Sequence, residues 1–240
     1  MRIKVPTRAA GKKAPAQDMA KFLQGVFMMM FGAVMLTAVS SVVTMVWGLP
    51  LIINQATGGF NFIFYALMFG GLGLAVFTQA RVFHMDPKMA GGLLALYSVM
   101  MGVVLTPLIV SALFLNPASI WQAFFLASAM FGAMALFGYK TARDLSFLGI
   151  FLFMGMIGLI LVGIMSMIWP LGSGTMTIVA LIGVLVFALF TAYGMQGLKK
   201  IYPQMADRYG QNQLAVLGAL QLYISFIAMF QYILMLLNRR

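Results

Sequence analysis

Seven long apolar runs joined by short segments constrain this chain more than any other feature. A helix needs about 20 apolar residues to cross a hydrocarbon layer roughly 30 Å thick. The runs cover residues 22–47, 60–77, 89–115, 119–139, 145–168, 175–195 and 214–237. Only helices and closed barrels satisfy their backbone groups inside lipid, and barrel strands alternate apolar and polar residues. Because these runs do not alternate, the sequence predicts an all-α integral membrane protein with seven transmembrane helices.

The composition excludes several other classes of protein. Charged residues make up 8% of the chain and hydrophobic residues 63%, whereas an ordinary soluble domain is about 25% charged. So few charges cannot cover a soluble core, which excludes a soluble enzyme, a disordered chain and a nucleic-acid-binding protein. The absence of Cys excludes disulfides, thiolate metal sites and Cys nucleophiles.

The connections between the runs are too short to hold a second domain. They carry turn residues, such as Gly48 and Pro50 after the first run and Asn116-Pro117 after the third. We therefore expect a basic N-terminal tail over residues 1–21 and a single seven-helix domain over residues 22–240. The tail resembles an organellar transit peptide in composition, but it lacks an amphipathic apolar face, which favours a cytoplasmic tail.

The charges predict how the chain is oriented. Every Lys and Arg except Arg239 and Arg240 falls in the tail or in the loops after the second, fourth and sixth runs, and all four Asp lie on the same side. The positive-inside rule places the N-terminus on the cytoplasmic side of the membrane if this is a bacterial inner membrane, which we favour, or on the matrix side if it is a mitochondrial inner membrane. The last run either crosses, which leaves the final Arg pair outside, or re-enters; crossing is favoured.

Four stretches of the second half resemble the Bax inhibitor-1 family of the bacterial type. They are FFLASAMFGAMALFGY at 124–139, the following KTARDLSFLG, IGVLVFALFTAYGMQGLKKIY at 182–202, and GALQLYISFIAMFQYILMLLNRR at 218–240. The first three runs match the family more loosely. The resemblance implies a seven-helix bundle and, in members of that family, a pH-sensitive calcium leak.

The chain departs from the family at the two residues that the leak requires. The family carries Asp after the aromatic residue that ends the sixth span and Asp after Leu-Tyr-Leu in the seventh, and this pair shares protons and binds calcium. Here those positions hold Gly194 and Ser225, and no charged residue lies within any predicted span. Intramembrane ionisable groups mark most ion pathways, so we expect a degenerate ion site.

The remaining candidate residues have both functional and structural interpretations. Tyr193, Gln196, Gln221 and Tyr223 could line a polar cavity, or could form hydrogen bonds between helices. The bases predicted at the membrane interface are Arg81, Lys140, Arg143, Lys199 and Lys200. His84 and Asp86 lie in a loop with no second His, so we expect no metal site, no cofactor and no catalytic residues.

These observations predict a non-enzymatic membrane protein that acts as a structural or regulatory subunit of a larger membrane complex. Small-residue pairs such as Ala66/Gly70, Gly71/Ala75 and Gly91/Ala95 favour close helix packing, either within the bundle or against partner subunits. The expected partners are the lipid bilayer, including anionic headgroups near the basic loops, and other membrane proteins, but not nucleic acid. The alternatives are a pH-sensitive calcium or proton leak and a modulator of a membrane protease.

Overall fold

A computed structural model describes residues 16–54, 59–169, 171–209 and 211–238, and in these ranges the chain is almost entirely helical. The α-helices are α1 (Ala16–Val43), α2 (Leu49–Ile52), α3 (Phe62–Arg81), α4 (Pro87–Leu115), α5 (Ala118–Lys140), α6 (Leu148–Ile168), α7 (Ser173–Tyr209) and α8 (Gln211–Leu237). Within the described residues, seven helical segments are long and apolar enough to cross a membrane. The predicted fold class is therefore confirmed.

Two helices extend furthest beyond the predicted apolar runs, both on the basic side of the bundle. α1 begins at Ala16, within the predicted tail, and α7 continues to Tyr209, past the predicted end at residue 195. Hydropathy predicts which part of a helix lies in the hydrocarbon layer, but it does not predict where the helix ends. A helix can continue beyond that layer when its residues favour helix and its polar side chains reach water. Residues 1–15, 55–58, 170, 210 and 239–240 lie outside the described residues, and with them most of the predicted basic tail and the final Arg pair.

The first span changes its helical winding where proline enters it. A π-helical turn over Thr44–Gly48 joins α1 to α2, and Pro50 lies in the first turn of α2. Proline has no N–H to donate to the preceding turn, so the helix accommodates it by widening locally. The Thr44 hydroxyl donates to the carbonyl of Ser40 within this segment.

α8 is the central helix of the bundle. It packs against α7, α1, α5 and α4. In its most apolar stretch 61% of the residues are buried within the protein, compared with at most 33% in the other spans. The buried residues of α8, such as Leu214, Ala215 and Val216, lie on several faces of the helix, so protein rather than lipid surrounds it. α6 has the opposite position, because it packs mainly against α7 and is only 11% buried in the same window.

The last apolar run forms one continuous helix, α8, that is long enough to cross a membrane. At the C-terminal end of α8, the side-chain oxygen of Asn238 accepts a hydrogen bond from the Ser119 hydroxyl at 2.8 Å. Ser119 lies at the beginning of α5, whose other end is Lys140 on the basic side. Since Phe131 of α5 also contacts Phe226 of α8, the two helices run antiparallel.

Candidate functional site

Gly194 and Ser225, where the resemblance implies a carboxylate pair in the family, lie on the packed helices α7 and α8. These two helices are antiparallel, and the register is fixed where Gly183 meets the ring of Tyr232 and Gly194 meets the side chain of Gln221. Ser225 lies one helical turn from Gln221 along α8, which is about 6 Å along the helix axis. Gly194 and Ser225 are therefore about one helical turn apart along the α7–α8 contact.

The Gln221 amide occupies the space beside Gly194. A Cβ atom built on Gly194 would lie 2.9 Å from Nε2 and 3.1 Å from Cδ of Gln221, which is closer than packed atoms approach. The hydroxyl of Ser225 donates to the carbonyl of Gln221 on its own helix at 3.1 Å. The two positions therefore hold no ionisable group, and the space next to Gly194 is filled by a neutral side chain.

The four residues predicted to share a polar cavity have different neighbours. Tyr193 packs with its hydroxyl against Gly149 of α6, and Gln196 binds the backbone between α5 and α6. Gln221 faces α7, whereas Tyr223 faces α1 and α4. Gln221 and Tyr223 are two residues apart on a helix, and such residues point in nearly opposite directions. The structure does not bring these four side chains together.

A buried hydroxyl network joins α1, α4 and α8, and the sequence did not reveal it as a unit. The Thr37 oxygen Oγ1 lies 2.6 Å from the Tyr223 hydroxyl, 3.0 Å from the carbonyl of Ser98 and 2.9 Å from the carbonyl of Ala33. Thr37 has one hydroxyl hydrogen, which it must donate to a carbonyl, so the Tyr223 hydroxyl donates to Thr37. The ring of Tyr97 meets that of Tyr223 edge to face, with 5.8 Å between centroids.

The same α1–α4 interface continues away from the basic side with a second pair of hydroxyls. Ser41 and Thr106 are 3.3 Å apart, and Thr106 also donates to the carbonyl of Gly102. A Cβ atom on Gly102 would lie 2.5 Å from the Thr37 carbonyl oxygen, so only glycine permits this approach of the two helices. The four-residue spacing of Thr37 and Ser41 inside an apolar run was the available sequence signal, since it places both on one face.

The polar interior of the bundle is neutral and internally satisfied. Among the described residues, no group of three or more His, Cys, Asp or Glu could hold a metal ion, and no buried side-chain nitrogen or oxygen lacks a hydrogen-bond partner. His84 and Asp86 are both exposed. Hydroxyls and amides arranged in this way hold helices together, since each polar group in lipid finds a partner on another helix or in its own turn.

The sequence stretches that carry the resemblance meet at the basic end of the bundle. Gln196 of α7 accepts a hydrogen bond from the N–H of Leu145 at 2.9 Å and donates to the carbonyl of Arg143 at 2.8 Å. Lys200 pairs with Asp144, and this ammonium, together with the hydroxyl and N–H of Ser146, holds the pKa of the Asp144 carboxyl well below its usual value. The turn that follows α5 is therefore held against α7.

The bases predicted at the interface are all exposed. Arg81 ends α3, Lys140 ends α5, and Arg143 lies in the turn before α6. Lys199 donates to the Tyr139 carbonyl at 2.8 Å and lies 5.1 Å from the centroid of the Tyr139 ring. Such side chains extend their stems along apolar surface while the charge reaches water.

Comparison with known proteins gives one family and several bacterial relatives. The family described as "Inhibitor of apoptosis-promoting Bax1" matches residues 19–240. "Inner membrane protein YbhL" of Escherichia coli K12 is 35% identical over 176 residues, which is 72% of this chain and 74% of the relative. A protein of Rickettsia prowazekii, RP147, is 32% identical over 99% of this chain and 97% of its own length. A protein of Caulobacter vibrioides is 34% identical over 72% of this chain and 68% of its own length.

Proposed function

This chain belongs to the Bax inhibitor-1 family, and we propose that it is a non-enzymatic member without the calcium leak, acting as a structural or regulatory subunit of a larger membrane complex. Its place in the membrane follows from the seven spans. The proposed role follows from what replaces the ion chemistry of the family inside the bundle.

The observation that carries the proposal is the contact between Gly194 and Gln221. Calcium binds six to eight hard oxygen atoms, normally including carboxylates, and a proton switch near neutral pH needs two coupled carboxylates. At this interface the chain offers a glycine, a serine hydroxyl already bonded within its helix, and an amide that fills the gap. This set can pack two helices, but it supplies neither a charge for calcium nor a titrating pair.

The outer surface of the bundle supports the role as a subunit. α6 is attached mainly through α7 and exposes Ile150, Phe151 and Phe153, among other large side chains. On the same helix, a Cβ atom at Gly158 or Gly163 would have no neighbour within 4 Å. Small residues on an open helix allow another helix to approach closely, so α6 is the face we assign to partner subunits.

The loss of ion conduction is tested with purified protein in liposomes that contain a calcium-sensitive dye. We expect the wild type to show no calcium leak at any pH from 6 to 8. The Gly194→Asp, Ser225→Asp double variant, with Gln221→Ser to make room, should restore a pH-dependent leak. Gly197→Asp is the matched control, because it adds a carboxylate to the same helix where a Cβ has no neighbour within 4 Å.

The outcomes separate the proposal from a leak that uses hydroxyls and carbonyls. A wild-type flux that rises with pH and disappears after substitutions around Gly194 and Ser225 would contradict the proposal and establish the leak. A silent wild type with a conducting triple variant supports loss of the site, provided that Gly197→Asp stays silent.

The subunit role is tested by mild-detergent purification of the full chain from its native membrane. We expect stoichiometric partner proteins that are lost when Gly158→Leu and Gly163→Leu are combined on α6. Recovery of a lone monomer from the wild type would contradict the role. A membrane protease recovered in stoichiometric amount would define the complex as a proteolytic one.

The membrane and orientation are part of the proposal. A relative is named as an inner membrane protein of a bacterium, and we assign this chain to the same kind of membrane with its N-terminus on the cytoplasmic side. Because the chain has no Cys, single-cysteine variants report the topology directly. Ser173→Cys should react with an impermeant maleimide in intact cells, and Ala142→Cys only after permeabilisation; the reverse result would invert the orientation.

A further inference from the structure

A groove opens on the basic side of the bundle between the middle of α1, the first part of α4 and the beginning of α8. Its volume is about 520 Å³, which lies within the range of ligand pockets. The apolar part is formed by Gly32, Gly91, Leu94 and Val216, among others, while Lys88 and Asn212 are the polar residues that line it. None of these residues belongs to the Gly194–Gln221 interface.

The groove runs from the membrane interface toward the middle of the bilayer. α1 and α4 are parallel, because Thr37 meets Ser98 and Ser41 meets Thr106. The lining of α4 begins in its first turn, at Pro87, and ends at Ala95, which is about 12 Å of helix at 1.5 Å per residue. The charged end of the groove therefore lies at the level of lipid headgroups and its apolar end at the level of acyl chains.

The two glycines in the groove are not explained by packing within the chain. A Cβ atom on Gly32 or on Gly91 would have no neighbour within 4 Å, in contrast to Gly102 of the same interface. Glycine also destabilises a helix relative to alanine. Since side chains at these positions would fill the groove without meeting protein atoms, the glycines keep it open.

The polar end of the groove favours an anion. Lys88 is exposed in the first turn of α4, where the helix dipole is positive, and the Asp86 side chain does not cap that turn. Asp86 is the nearest acidic residue along the chain, and it does not line the groove. The N-terminal tail and the other basic-side loops carry an excess of positive charge, so they do not complement Lys88.

We propose that this groove binds one anionic phospholipid, with its phosphate at Lys88 and the first turn of α4 and one acyl chain along Gly91, Gly32 and Leu94. The groove is open to the lipid bilayer, since Gly32 and Lys88 of its lining are exposed. An acyl chain is the apolar partner that a lipid leaflet supplies along the length of the groove. The proposal is independent of the proposed loss of the ion site, because it involves other residues and a different ligand.

Native mass spectrometry of the full chain in detergent tests the proposal, with phosphatidylglycerol and phosphatidylcholine of identical acyl chains as probes. We expect one retained lipid per protein and about a fivefold preference for phosphatidylglycerol, from roughly 1 kcal/mol for one basic residue near the surface. Lys88→Gln should abolish the preference and leave weak binding of both lipids. Inorganic phosphate at millimolar concentration should not displace the lipid.

A matched pair of variants separates the groove from general lipid adhesion. Gly91→Leu should abolish retention of both lipids, whereas Gly92→Leu, the adjacent residue that is exposed and lies outside the groove, should retain them. Gly32→Leu provides the same test from α1 if Gly91→Leu unfolds, and far-ultraviolet circular dichroism checks folding. Equal retention by folded Gly91→Leu or Gly32→Leu and the wild type would overturn the proposal, as would equal binding of the two lipids by the wild type.

Discussion

The bond between Thr37 and Tyr223 gives the sharpest test of how this bundle is held together. Thr37→Val keeps the shape of the side chain but removes the hydroxyl that joins α1 to α8 and to the Ser98 carbonyl of α4. Interhelical hydrogen bonds in membrane proteins contribute about 0.6 kcal/mol on average and up to about 1.7 kcal/mol. Since Thr37 joins three helices and is only 3% exposed, we expect a loss near the upper end, about 1.5 kcal/mol.

The assay is reversible unfolding in mixed micelles of dodecylmaltoside and sodium dodecyl sulfate, followed by circular dichroism. Thr191→Val is the matched control, because Thr191 is fully buried and its hydroxyl donates only to the Phe187 carbonyl of its own helix. This variant should lose less than about 0.5 kcal/mol. Tyr223→Phe should destabilise the protein, and adding Thr37→Val to it should cost about 1 kcal/mol less than in the wild type.

The refuting result is additivity. If the free energies lost in Thr37→Val and Tyr223→Phe sum in the double variant, the two hydroxyls do not stabilise the bundle through each other. An equal loss in Thr37→Val and Thr191→Val would likewise show that burial of a threonine, rather than its bond to α8, determines the effect.

Two further predictions concern close packing and charge. Gly102→Ala should lower the free energy of unfolding by about 1–3 kcal/mol, because its Cβ would press on the Thr37 carbonyl, while Gly73→Ala, with no neighbour within 4 Å, should not destabilise the protein in the same assay. Lys200 holds the pKa of the Asp144 carboxyl below 3.8, so any stability that the ion pair adds is present above pH 3.8 and is lost as the pH falls through the lowered pKa. Lys200→Gln should raise this pKa toward 3.8, which an infrared titration of the carboxyl measures. An unchanged titration would contradict the ion pair.

The spans could be predicted from sequence because lipid imposes a length and a composition on each helix separately. The predicted third and fifth runs end at Leu115 and Ile168, where α4 and α6 also end. The error at the end of α7 has the same origin, since Lys199 and Lys200 stop the apolar run but not the helix. The helices were thus predictable one at a time, and their ends only where the polar boundary and the helix end coincide.

The contacts between helices were not predictable in the same way. Thr37 and Tyr223 are 186 residues apart, and their meeting depends on the rotation and offset of two helices whose apolar faces are nearly continuous. The predicted cavity fails on this point, since Tyr223 turns toward α1 while Gln221 turns toward α7. The pairing of positions 194 and 225 came from the family resemblance rather than from a residue pattern, and their role as a former ion site stays a prediction.

The contacts between α7 and α8 are made by neutral side chains that pack against glycines. A charged pair in lipid is costly, so it persists where it has a function, and without that function neutral packing is favoured. In this chain the interface is closed by side chains packed against glycines: Tyr232 on Gly183, Gln221 on Gly194 and Leu198 on Gly218. Such contacts require the glycines as much as the large residues, because a Cβ at any of the three would lie within 3.0 Å of its partner. Restoring an acid at position 194 therefore needs a smaller residue at position 221, which is why the two changes are tested together.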